Sequence, residues 1–315
     1  MNDFADRDGE IWLDGEWLPW REARVHVLTH TLHYGCGVFE GLRAYYGRRG
    51  TAIFRLHDHT ERLFRSAKIL KMEIPYDKET LNRVQCEAVV RNGLESAYIR
   101  PMCFYGAEGM GLHAERLKVH VMVAAWAWGS YLGEENLTRG IRAKIVSIVR
   151  SPRSMMCKAK ANGNYLNSIL ALQEALDAGY DEAILLDEDG FIAEGSGENI
   201  FIVKDGVLYT PDLSSALEGI TRDTVVQIAK EDLGLRVVEK RISRDELYTA
   251  DEAFFTGTAA EITPIREVDG RTIGDGTRGE ITEKLQLLYF DYVHGRRSGH
   301  EAWLTPVHEY LKEAV

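Results

Sequence analysis

The sequence predicts an α+β fold, because the predicted strands and helices are grouped along the chain and the turns are tight. Short apolar segments flank the turn dipeptides Asp14-Gly15, Asp189-Gly190 and Asp205-Gly206, a pattern typical of antiparallel strand pairs. Longer segments place their apolar residues on one helical face. With 315 residues, the chain is long enough for about two domains.

The first predicted domain covers residues 1–129. It begins with a hairpin of strands 11–13 and 16–18 around Asp14-Gly15. Helical spacing, with Leu63, Phe64 and Ala67 on one face, predicts a helix over 57–70. A second helix is predicted over 80–92, because Gly93 follows as a stop signal. Strands are predicted over 38–46, 98–105 and 119–128.

The second predicted domain covers residues 138–315 and follows an interdomain loop over 130–137. This loop falls in a polar segment with two glycines, at 129–136. Strands are predicted over 142–149, 183–186, 191–194, 200–203, 207–209 and 252–256. Helices are predicted over 165–178, 222–233 and 280–293, and the tail after Val307 predicts a further short helix.

Composition narrows the class of protein. The net charge of -11 argues against a nucleic-acid or anionic-membrane partner. The most apolar run, 119–128, is too short to cross a bilayer as a helix, and residues 1–6 lack the apolar core of a signal peptide. The four cysteines are scattered, which predicts reduced thiols in a cytoplasmic protein.

The most informative segment surrounds Lys160, a lysine among small residues just before a predicted helix. Nearby positive charge from Lys158 and a helix N-terminus favour the neutral amine, which is the form that attacks an aldehyde. Glu194 follows a predicted strand in a glycine-rich turn and suits a pyridine nitrogen. A reactive amine and a carboxylate of this kind predict a site for pyridoxal 5'-phosphate.

Two further segments suit a phosphate group, and one arginine adds a fixed charge. Gly219-Ile220-Thr221-Arg222 precedes a helix, so its backbone amides and positive dipole end favour an anion. The segment 256–260 offers a hydroxyl and backbone amides, and Arg55 offers a fixed charge. Taken alone, each of these features is more often a helix cap or a surface arginine.

Aromatic residues near one arginine suggest the substrate side of the site. Phe39, Tyr98, Trp128 and Tyr131, with Arg100, suit a pocket that accepts both an apolar side chain and a second carboxylate. A competing interpretation is a zinc site, because His26, His30 and His33 have helical spacing and Cys36 follows. The glycines at 35 and 37 disfavour the long helix that this site requires.

Six ordered motifs resemble the fold type IV pyridoxal-phosphate aminotransferases, most closely the branched-chain amino acid aminotransferases. The resemblance covers about 11–307 and rests on YGCGVFEGLR (34–43), YIRP (98–101), KANGNYLNS (160–168), EGSGENIF (194–201), GITRD (219–223) and TGTAAEI (256–262). It implies a smaller N-terminal α/β domain and a larger, β-barrel-like C-terminal domain. Asn162 and Ser196 stand where many relatives have glycine and alanine.

The resemblance also implies a role for each matching residue. Lys160 is expected to form the Schiff base and shuttle the proton, Glu194 to pair with the pyridine nitrogen, and Tyr165 to bind the ring hydroxyl. The expected phosphate ligands are Arg55, Ile220, Thr221 and Thr258. The expected substrate-pocket residues are Phe39, Tyr98, Arg100, Met110, Leu112, Trp128, Tyr131 and Ala259. Family members are homodimers or hexamers, in which Tyr34 and Leu112 are expected to reach the neighbouring subunit's pocket.

The sequence therefore predicts a cytoplasmic enzyme that transfers the amino group of leucine, isoleucine or valine to 2-oxoglutarate, producing glutamate. Within the same fold, a D-amino acid transaminase, an (R)-amine transaminase and an aminodeoxychorismate lyase remain alternatives. A non-catalytic zinc-binding protein is the alternative from another class. The motif Tyr98-Ile99-Arg100 favours the branched-chain interpretation.

Overall fold

The computed structural model describes residues 3–114, 116–129, 133, 135–150 and 156–313, which form two compact units. The first unit contains Met1–Trp128, Ala159–Gly163 and Tyr292–Val315. The second contains Gly129–Lys158 and Asn164–Asp291. The chain therefore leaves the second unit for five residues around Lys160 and returns to the first unit at its end.

The first unit is built on a sheet in which the described strands pair antiparallel. The described strands are β1 (Glu10–Leu13), β2 (Glu16–Pro19), β3 (Gly37–Phe39), β4 (Leu42–Gly47), β5 (Gly50–Phe54), β6 (Ala97–Tyr105), β7 (Val119–Trp126) and β17 (Leu304–Pro306). Their order is β17-β5-β4-β6-β7-β1-β2, and β3 pairs with β6. The predicted hairpin is confirmed, with Asp14 and Gly15 at φ of 51° and 100° between β1 and β2.

Two amphipathic helices cover this sheet, as predicted. They are α2 (Leu56–Ile69) and α3 (Lys78–Arg91), and the described chain adds the short helices α1 (His30–Tyr34) and α9 (Val307–Glu313). Leu63 of α2 and Leu81 of α3 are fully buried in a core shared with Ile99 of β6. Helix α3 begins two residues before its predicted start, because the Asp77 carboxylate accepts the Thr80 N–H (2.7 Å) as an N-cap.

The predicted strand over 38–46 was wrong in one respect, because it breaks at Glu40 and Gly41 into β3 and β4. The Glu40 N–H leaves the strand ladder and bonds the Pro101 carbonyl (2.9 Å). At Gly41 a Cβ atom would lie 2.0 Å from the Tyr98 hydroxyl, so the chain passes there only as glycine. The break therefore depends on residues far away in sequence.

The second unit is a mixed sheet with flanking helices. Its described strands are β8 (Ile141–Ile145), β9 (Glu182–Leu186), β10 (Ile192–Gly195), β11 (Asn199–Lys204), β12 (Val207–Thr210), β13 (Val237–Glu239), β14 (Glu252–Gly257), β15 (Glu261–Val268) and β16 (Arg271–Thr272). Its described helices are α4 (Asn136–Arg139), α5 (Tyr165–Asp177), α6 (Ile220–Glu231) and α7 (Arg244–Tyr248). Helix α8 (Glu280–Val293) begins in this unit.

The sheet order is β10-β9-β8-β15-β14-β11-β12-β13, with β16 paired to β15. The α+β prediction is confirmed, but the expectation of antiparallel pairing was wrong at three places. Strand β8 runs parallel to β9 and β15, and β12 runs parallel to β13. The long connections α5, between β8 and β9, and α6, between β12 and β13, allow these parallel pairs.

One expectation about the start of the second unit also needs correction. The predicted strand over 142–149 ends at Ile145. The reason is that the Ser147 N–H, two residues later, donates to the Glu174 carboxylate of α5 (2.9 Å). The apolar face of α5 does not pack within the unit. Leu166, Ile169 and Leu170 are 63%, 63% and 51% exposed, and the helix buries Ser168, Ala171 and Ala175 instead.

The four cysteines are free thiols, as the sequence indicated, and burial raises the pKa of Cys86 and of Cys103 to about 12. Among the helices in the described ranges, none combines the length and apolarity required to cross a membrane.

Candidate active site

Lys160 lies in the first unit, on a segment that runs beside β3. The Phe39 N–H donates to the Lys160 carbonyl (3.1 Å), and Ala161 forms an antiparallel bridge with Val38. The Gly163 N–H donates to the Gly35 carbonyl (3.0 Å). The motif 34–39 therefore acts as a backbone template for the lysine segment.

Helix α2 holds the other edge of this segment. The Lys160 N–H donates to the Ser66 hydroxyl (3.0 Å), and Ser66 is fully buried. The half-buried Lys160 side chain places its Nζ atom 5.1 Å from the centre of the Phe39 ring. Both main-chain polar groups of Lys160 are thus fixed, which limits where the amine can reach.

Lys158, the predicted source of nearby positive charge, has backbone partners in the second unit. Its ammonium group belongs to the second unit and donates to the carbonyls of Leu213 and Ala216, the latter at 3.1 Å. The ammonium therefore ties its own loop to residues 213–216.

Arg100 lies against the same aromatic ring as the Lys160 amine. Its Cζ atom is 4.6 Å from the centre of the Phe39 ring, and its Nη2 donates to the Tyr98 hydroxyl (3.0 Å). The Trp128 ring packs edge-on against Tyr98 at 4.5 Å. Within the described residues, the buried Nε of Arg100 has no hydrogen-bond acceptor. The structure thus joins four predicted substrate residues in one series of contacts that reaches Lys160 through Phe39, and it leaves one guanidinium donor for an anion.

A second group of predicted substrate residues lies on the surface of the first unit. Tyr34, Met110 and Leu112 are 43%, 50% and 88% exposed. His30 links them, because its ring lies 4.6 Å from that of Tyr34 and its Nε2 is 2.8 Å from the Gly111 carbonyl. Tyr131, also predicted for the pocket, lies outside the described residues.

Sequence reasoning missed a buried charged cluster beside the lysine segment. The Glu40 carboxylate is fully buried and accepts from Arg62 through both oxygens (Nε 2.6 Å and Nη2 2.9 Å). The His59 Nδ1 atom is 2.7 Å from the same carboxylate. His59, Arg62 and Ser66 share one face of α2, so Ser66 places the lysine segment one turn from the Glu40 cluster. In the sequence, the signal for this cluster was three polar residues at helical spacing.

Burial and charge displace the pKa of both titrating groups in this cluster. Burial by itself raises the pKa of Glu40, but the Arg62 guanidinium and His59 outweigh it and hold that pKa well below its usual range. Burial lowers the pKa of His59, although its hydrogen bond to Glu40 opposes the change. The native cluster is therefore an ionised carboxylate beside a neutral imidazole.

We expect acid to destabilise the protein through His59 before it affects the carboxylates. The unfolded chain binds a proton at His59 with a pKa of about 6.5, whereas the folded protein binds it less readily, so stability is present above this pH and is lost as pH falls. Denaturant unfolding between pH 7 and pH 5 measures this slope. His59→Asn, which keeps a hydrogen-bond donor, should flatten it, and an unchanged slope in that variant contradicts the assignment.

In the second unit, Glu194 stands near the end of β10 and is buried. Its Oε1 atom lies 2.6 Å from Arg150 Nε as an ion pair, but it accepts no directed hydrogen bond from the described residues. Its Oε2 atom accepts from the Leu217 N–H (3.1 Å) and from Asn199 Nδ2 (3.4 Å). The Oε2 atom is therefore engaged by neighbouring protein groups, and Oε1 can accept a hydrogen bond from a further donor.

Asn199 connects Glu194 to the start of α6. Its Nδ2 also donates to the Leu217 carbonyl (3.0 Å), and its Oδ1 occupies the place where a Cβ on Gly219 would lie, 1.9 Å away. Gly219 is the N-cap residue of α6 and supplies no side-chain cap. The first amides of this 12-residue helix, those of Ile220 and Thr221, are thus not capped by a side chain and suit an anion.

The remaining predicted cofactor residues occupy several elements. Tyr165 is the first residue of α5 and is half-buried, and Thr258 and Ala259 form the half-buried turn between β14 and β15. Strand β14 pairs with β11, so Asn199 lies opposite Thr256, two residues before Thr258. Arg55 belongs to the first unit, directly before α2, where its guanidinium forms an ion pair with Asp58.

The three histidines of the zinc interpretation have separate backbone partners. His26 Nδ1 accepts the Leu28 N–H (3.1 Å), His30 contacts Gly111, and His33 Nε2 lies 2.9 Å from the Val27 carbonyl. In the part of the chain that the structure describes, no three side chains of His, Cys, Asp or Glu are grouped as a metal site.

Comparison with known proteins identifies the family of this chain. Residues 37–268 match the family described as amino-transferase class IV. The branched-chain-amino-acid aminotransferase of Pseudomonas aeruginosa is 62% identical over 305 residues, covering 96% of this chain and 99% of that protein.

Solved structures of branched-chain amino acid aminotransferases superpose closely. The Escherichia coli enzyme has a TM-score of 0.93 at 45% identity, covering 96% of this chain and 100% of that one. The T.th. enzyme, complexed with N-(5'-phosphopyridoxyl)-L-glutamate, has a TM-score of 0.92 at 50% identity, covering 96% of this chain and 99% of that one. The chain belongs to the class IV aminotransferase family and, within it, to the branched-chain-amino-acid aminotransferases.

Proposed function

We propose that this enzyme uses pyridoxal 5'-phosphate to transfer the amino group of leucine, isoleucine or valine to 2-oxoglutarate. The observation that carries the proposal is the placement of Lys160 and Arg100 against one Phe39 ring. The Lys160 amine, a general base, and the Arg100 guanidinium, which binds carboxylates, are thereby held close to an apolar surface. The products are a branched-chain 2-oxo acid and L-glutamate.

The residues of each unit fit the cofactor. The buried Glu194 oxygen that lacks a directed hydrogen bond suits the protonated ring nitrogen, and Tyr165 suits the ring hydroxyl. The α6 amides of Ile220 and Thr221, with Arg55 and Thr258, suit the phosphate. When bound, the cofactor supplies the electron sink that stabilises negative charge at the substrate Cα.

Lys160 would hold the cofactor through its amine and would move the proton at the substrate Cα. Its fixed main chain keeps the amine on one side of the site, which favours one stereochemical outcome. Arg150, the Leu217 N–H and the Asn199 amide hold the Glu194 carboxylate in place with one positive charge and two hydrogen bonds. Lys160 is therefore the base that transfers the proton, and Glu194 is the carboxylate that stays in place.

The substrate pocket must accept an apolar side chain in one half-reaction and a carboxylate in the other. The aromatic surfaces of Phe39, Tyr98 and Trp128 suit the first, and Arg100 suits the second. The glutamate adduct in the solved T.th. enzyme supports glutamate as a partner product. Further residues assigned to this pocket are Tyr34, Met110, Leu112, Tyr131 and Ala259.

We expect Arg100→Ala to separate the two half-reactions. Loss of a charge-assisted hydrogen bond to the side-chain carboxylate should raise the KM for 2-oxoglutarate by about 10- to 100-fold. The pre-steady-state half-reaction with leucine should change far less, because leucine has no second carboxylate. Stopped-flow absorbance of the cofactor measures each half-reaction separately.

Two controls make this assignment falsifiable. Arg83→Ala removes an exposed positive charge of the same unit from α3 and should alter neither half-reaction. Arg100→Lys keeps the charge but loses the planar fork, so it should recover only part of the affinity for 2-oxoglutarate. An unchanged KM for 2-oxoglutarate in Arg100→Ala would remove Arg100 from the site.

Substrate profiling tests the proposed function as a whole. The purified enzyme, loaded with pyridoxal 5'-phosphate, is assayed with L-leucine, L-isoleucine and L-valine against 2-oxoglutarate. D-Alanine, an (R)-amine and aminodeoxychorismate represent the other activities of the same fold. Faster turnover of D-alanine or of the (R)-amine than of every branched-chain L-amino acid would overturn the proposal.

We also propose that the enzyme works in the cytoplasm as a homodimer or hexamer. The free thiols support the first point. The exposed Leu166, Ile169 and Leu170 of α5, and the exposed Tyr34 and Leu112, support the second, because apolar patches of this kind are typical of subunit interfaces.

We expect charge on the α5 face to reduce the assembly size. Leu166→Glu with Ile169→Glu should lower the sedimentation coefficient, because carboxylates in an apolar interface lose their hydration. Leu287→Glu is the matched control, since Leu287 is 60% exposed on α8. If both proteins sediment like the unmodified enzyme, the α5 face is not an interface.

A further inference from the structure

The sequence contains two Arg-Arg dipeptides, and the structure places both at one cavity. They are Arg48-Arg49, in the turn between β4 and β5, and Arg296-Arg297, which follow α8. The cavity has a volume of about 270 Å³ and lies entirely within the first unit. Nearly 250 residues of chain separate the dipeptides, so their meeting is a property of the fold.

Backbone contacts hold the two dipeptides in place. The Arg48 N–H donates to the His294 carbonyl (3.2 Å), and the His294 Nδ1 donates to the Tyr46 carbonyl (2.8 Å). The His294 ring also packs edge-on against Tyr45 at 5.5 Å. The β4–β5 turn is therefore fixed to the residues after α8, and the arginine stems begin from ordered backbone.

The residues around this cavity are mostly basic, whereas the whole chain has a negative net charge. Four arginines border it with a single acidic residue, Glu301, although the net charge of the chain is -11, and Arg297 Nε already donates to the Tyr292 hydroxyl (3.3 Å). Arg49 forms an ion pair with Glu309 (3.0 Å). Within the described ranges, no carboxylate forms an ion pair with Arg48. Grouping like charges costs free energy, and a bound anion offsets that cost.

We propose that this cavity binds a small anion that carries two or more phosphate groups. Guanidinium groups form paired hydrogen bonds to phosphate oxygens, and four of them match a multiply charged ligand better than a single carboxylate. The volume lies just below the usual range of small-ligand sites and suits a compact polyphosphate group. Arg55, assigned to the cofactor phosphate, does not line this cavity, so the two anion sites are separate.

The aromatic lining extends the range of ligands to nucleotides. Tyr45, Tyr292 and His300 all border the cavity. The His300 ring stacks on Trp303 at 3.8 Å and 2°, which leaves its orientation fixed. Inorganic pyrophosphate and a nucleoside triphosphate share the chemistry that the arginines recognise, and only the second uses the aromatic rings.

The test is calorimetric titration of the cofactor-loaded enzyme with pyrophosphate and, separately, with ATP. Loading the enzyme fills the cofactor phosphate site, so that binding there does not contribute. We expect one pyrophosphate per chain, with affinity at least about 10-fold lower in Arg48→Ala and in Arg296→Ala. Arg83→Ala, which removes one charge from α3 of the same unit, should bind like the unmodified enzyme.

Several results overturn the proposal. They are no binding at millimolar pyrophosphate or ATP, equal loss of affinity in Arg83→Ala, and tighter binding of a single-stranded oligonucleotide than of either small anion. ATP binding tighter than pyrophosphate identifies a nucleotide site, whereas equal affinity identifies a site for the phosphates alone.

A second measurement needs no variant. Phenylglyoxal labels arginine side chains, and pyrophosphate should protect Arg48 and Arg296 from labelling while Arg83 is labelled as before. Peptide mass spectrometry gives the labelled fraction at each position. Equal labelling with and without pyrophosphate contradicts the proposal even if the variants fail to fold.

Discussion

Replacement of Lys160 by alanine is expected to remove the visible absorbance of the cofactor-loaded enzyme that leucine alters. It should also lower the transamination rate by about 10²- to 10⁴-fold or more, the scale on which general acid–base groups contribute. The reason is that Lys160, whose main chain is held by Ser66 and Phe39, is the amine beside the predicted substrate residue Phe39. Absorbance spectra before and after addition of leucine measure the first effect, and coupled assays measure the second.

Lys158→Ala is the matched control for this prediction. Lys158 lies two residues away, but its ammonium group binds the carbonyls of Leu213 and Ala216. Lys158→Ala should retain the visible absorbance and its change on addition of leucine. It should instead lower the thermal stability of the enzyme. A Lys160→Ala enzyme that transaminates leucine at the parental rate would assign the proton transfer to another group.

Replacement of Glu40 by alanine is expected to cause the largest loss of stability among single substitutions in the first unit. The change leaves the buried Arg62 without the carboxylate that binds it at 2.6 and 2.9 Å. An uncompensated buried charge of this kind costs about 3–5 kcal/mol of unfolding free energy. Denaturant unfolding of the cofactor-free protein provides the measurement.

Glu61→Ala provides the matched comparison, because it removes a carboxylate of α2 whose partner lies on α3. Its partner is Lys78, and the two side chains are 62% and 45% exposed. An exposed ion pair contributes about 1 kcal/mol or less, so this variant should unfold almost like the parent. If the two substitutions lower the unfolding free energy equally, the Arg62 guanidinium in Glu40→Ala is hydrated or bound by another group.

The elements that sequence predicted correctly depend on nearby residues. The first hairpin needs only the positive φ angles of Asp14-Gly15, and α2 needs only its apolar spacing. The break between β3 and β4 could not be predicted, because it depends on Pro101, Tyr98 and the partners of Glu40. The parallel pairs of β8 also escaped prediction, since pairing over long connections has no local signal.

The site divides in the same way. The motifs around Lys160 and Glu194 indicated an amine and a carboxylate for one cofactor, and the roles of these residues stay predictions. The supporting contacts were not predictable, because Ser66 and Arg150 lie 94 and 44 positions away in sequence from Lys160 and Glu194. Such contacts need the geometry of the fold, since a serine or an arginine alone carries no signal.

The pairing of β5 with β17 has a consequence for synthesis on the ribosome. Strand β5 ends at Phe54, and its partner begins at Leu304. At about 5–20 residues per second, the ribosome needs roughly 10–50 s to reach that partner. During this interval the edge of β5 presents unpaired N–H and C=O groups that can recruit another chain. The nascent first half of the protein is therefore a natural client for holding chaperones until the last strand emerges.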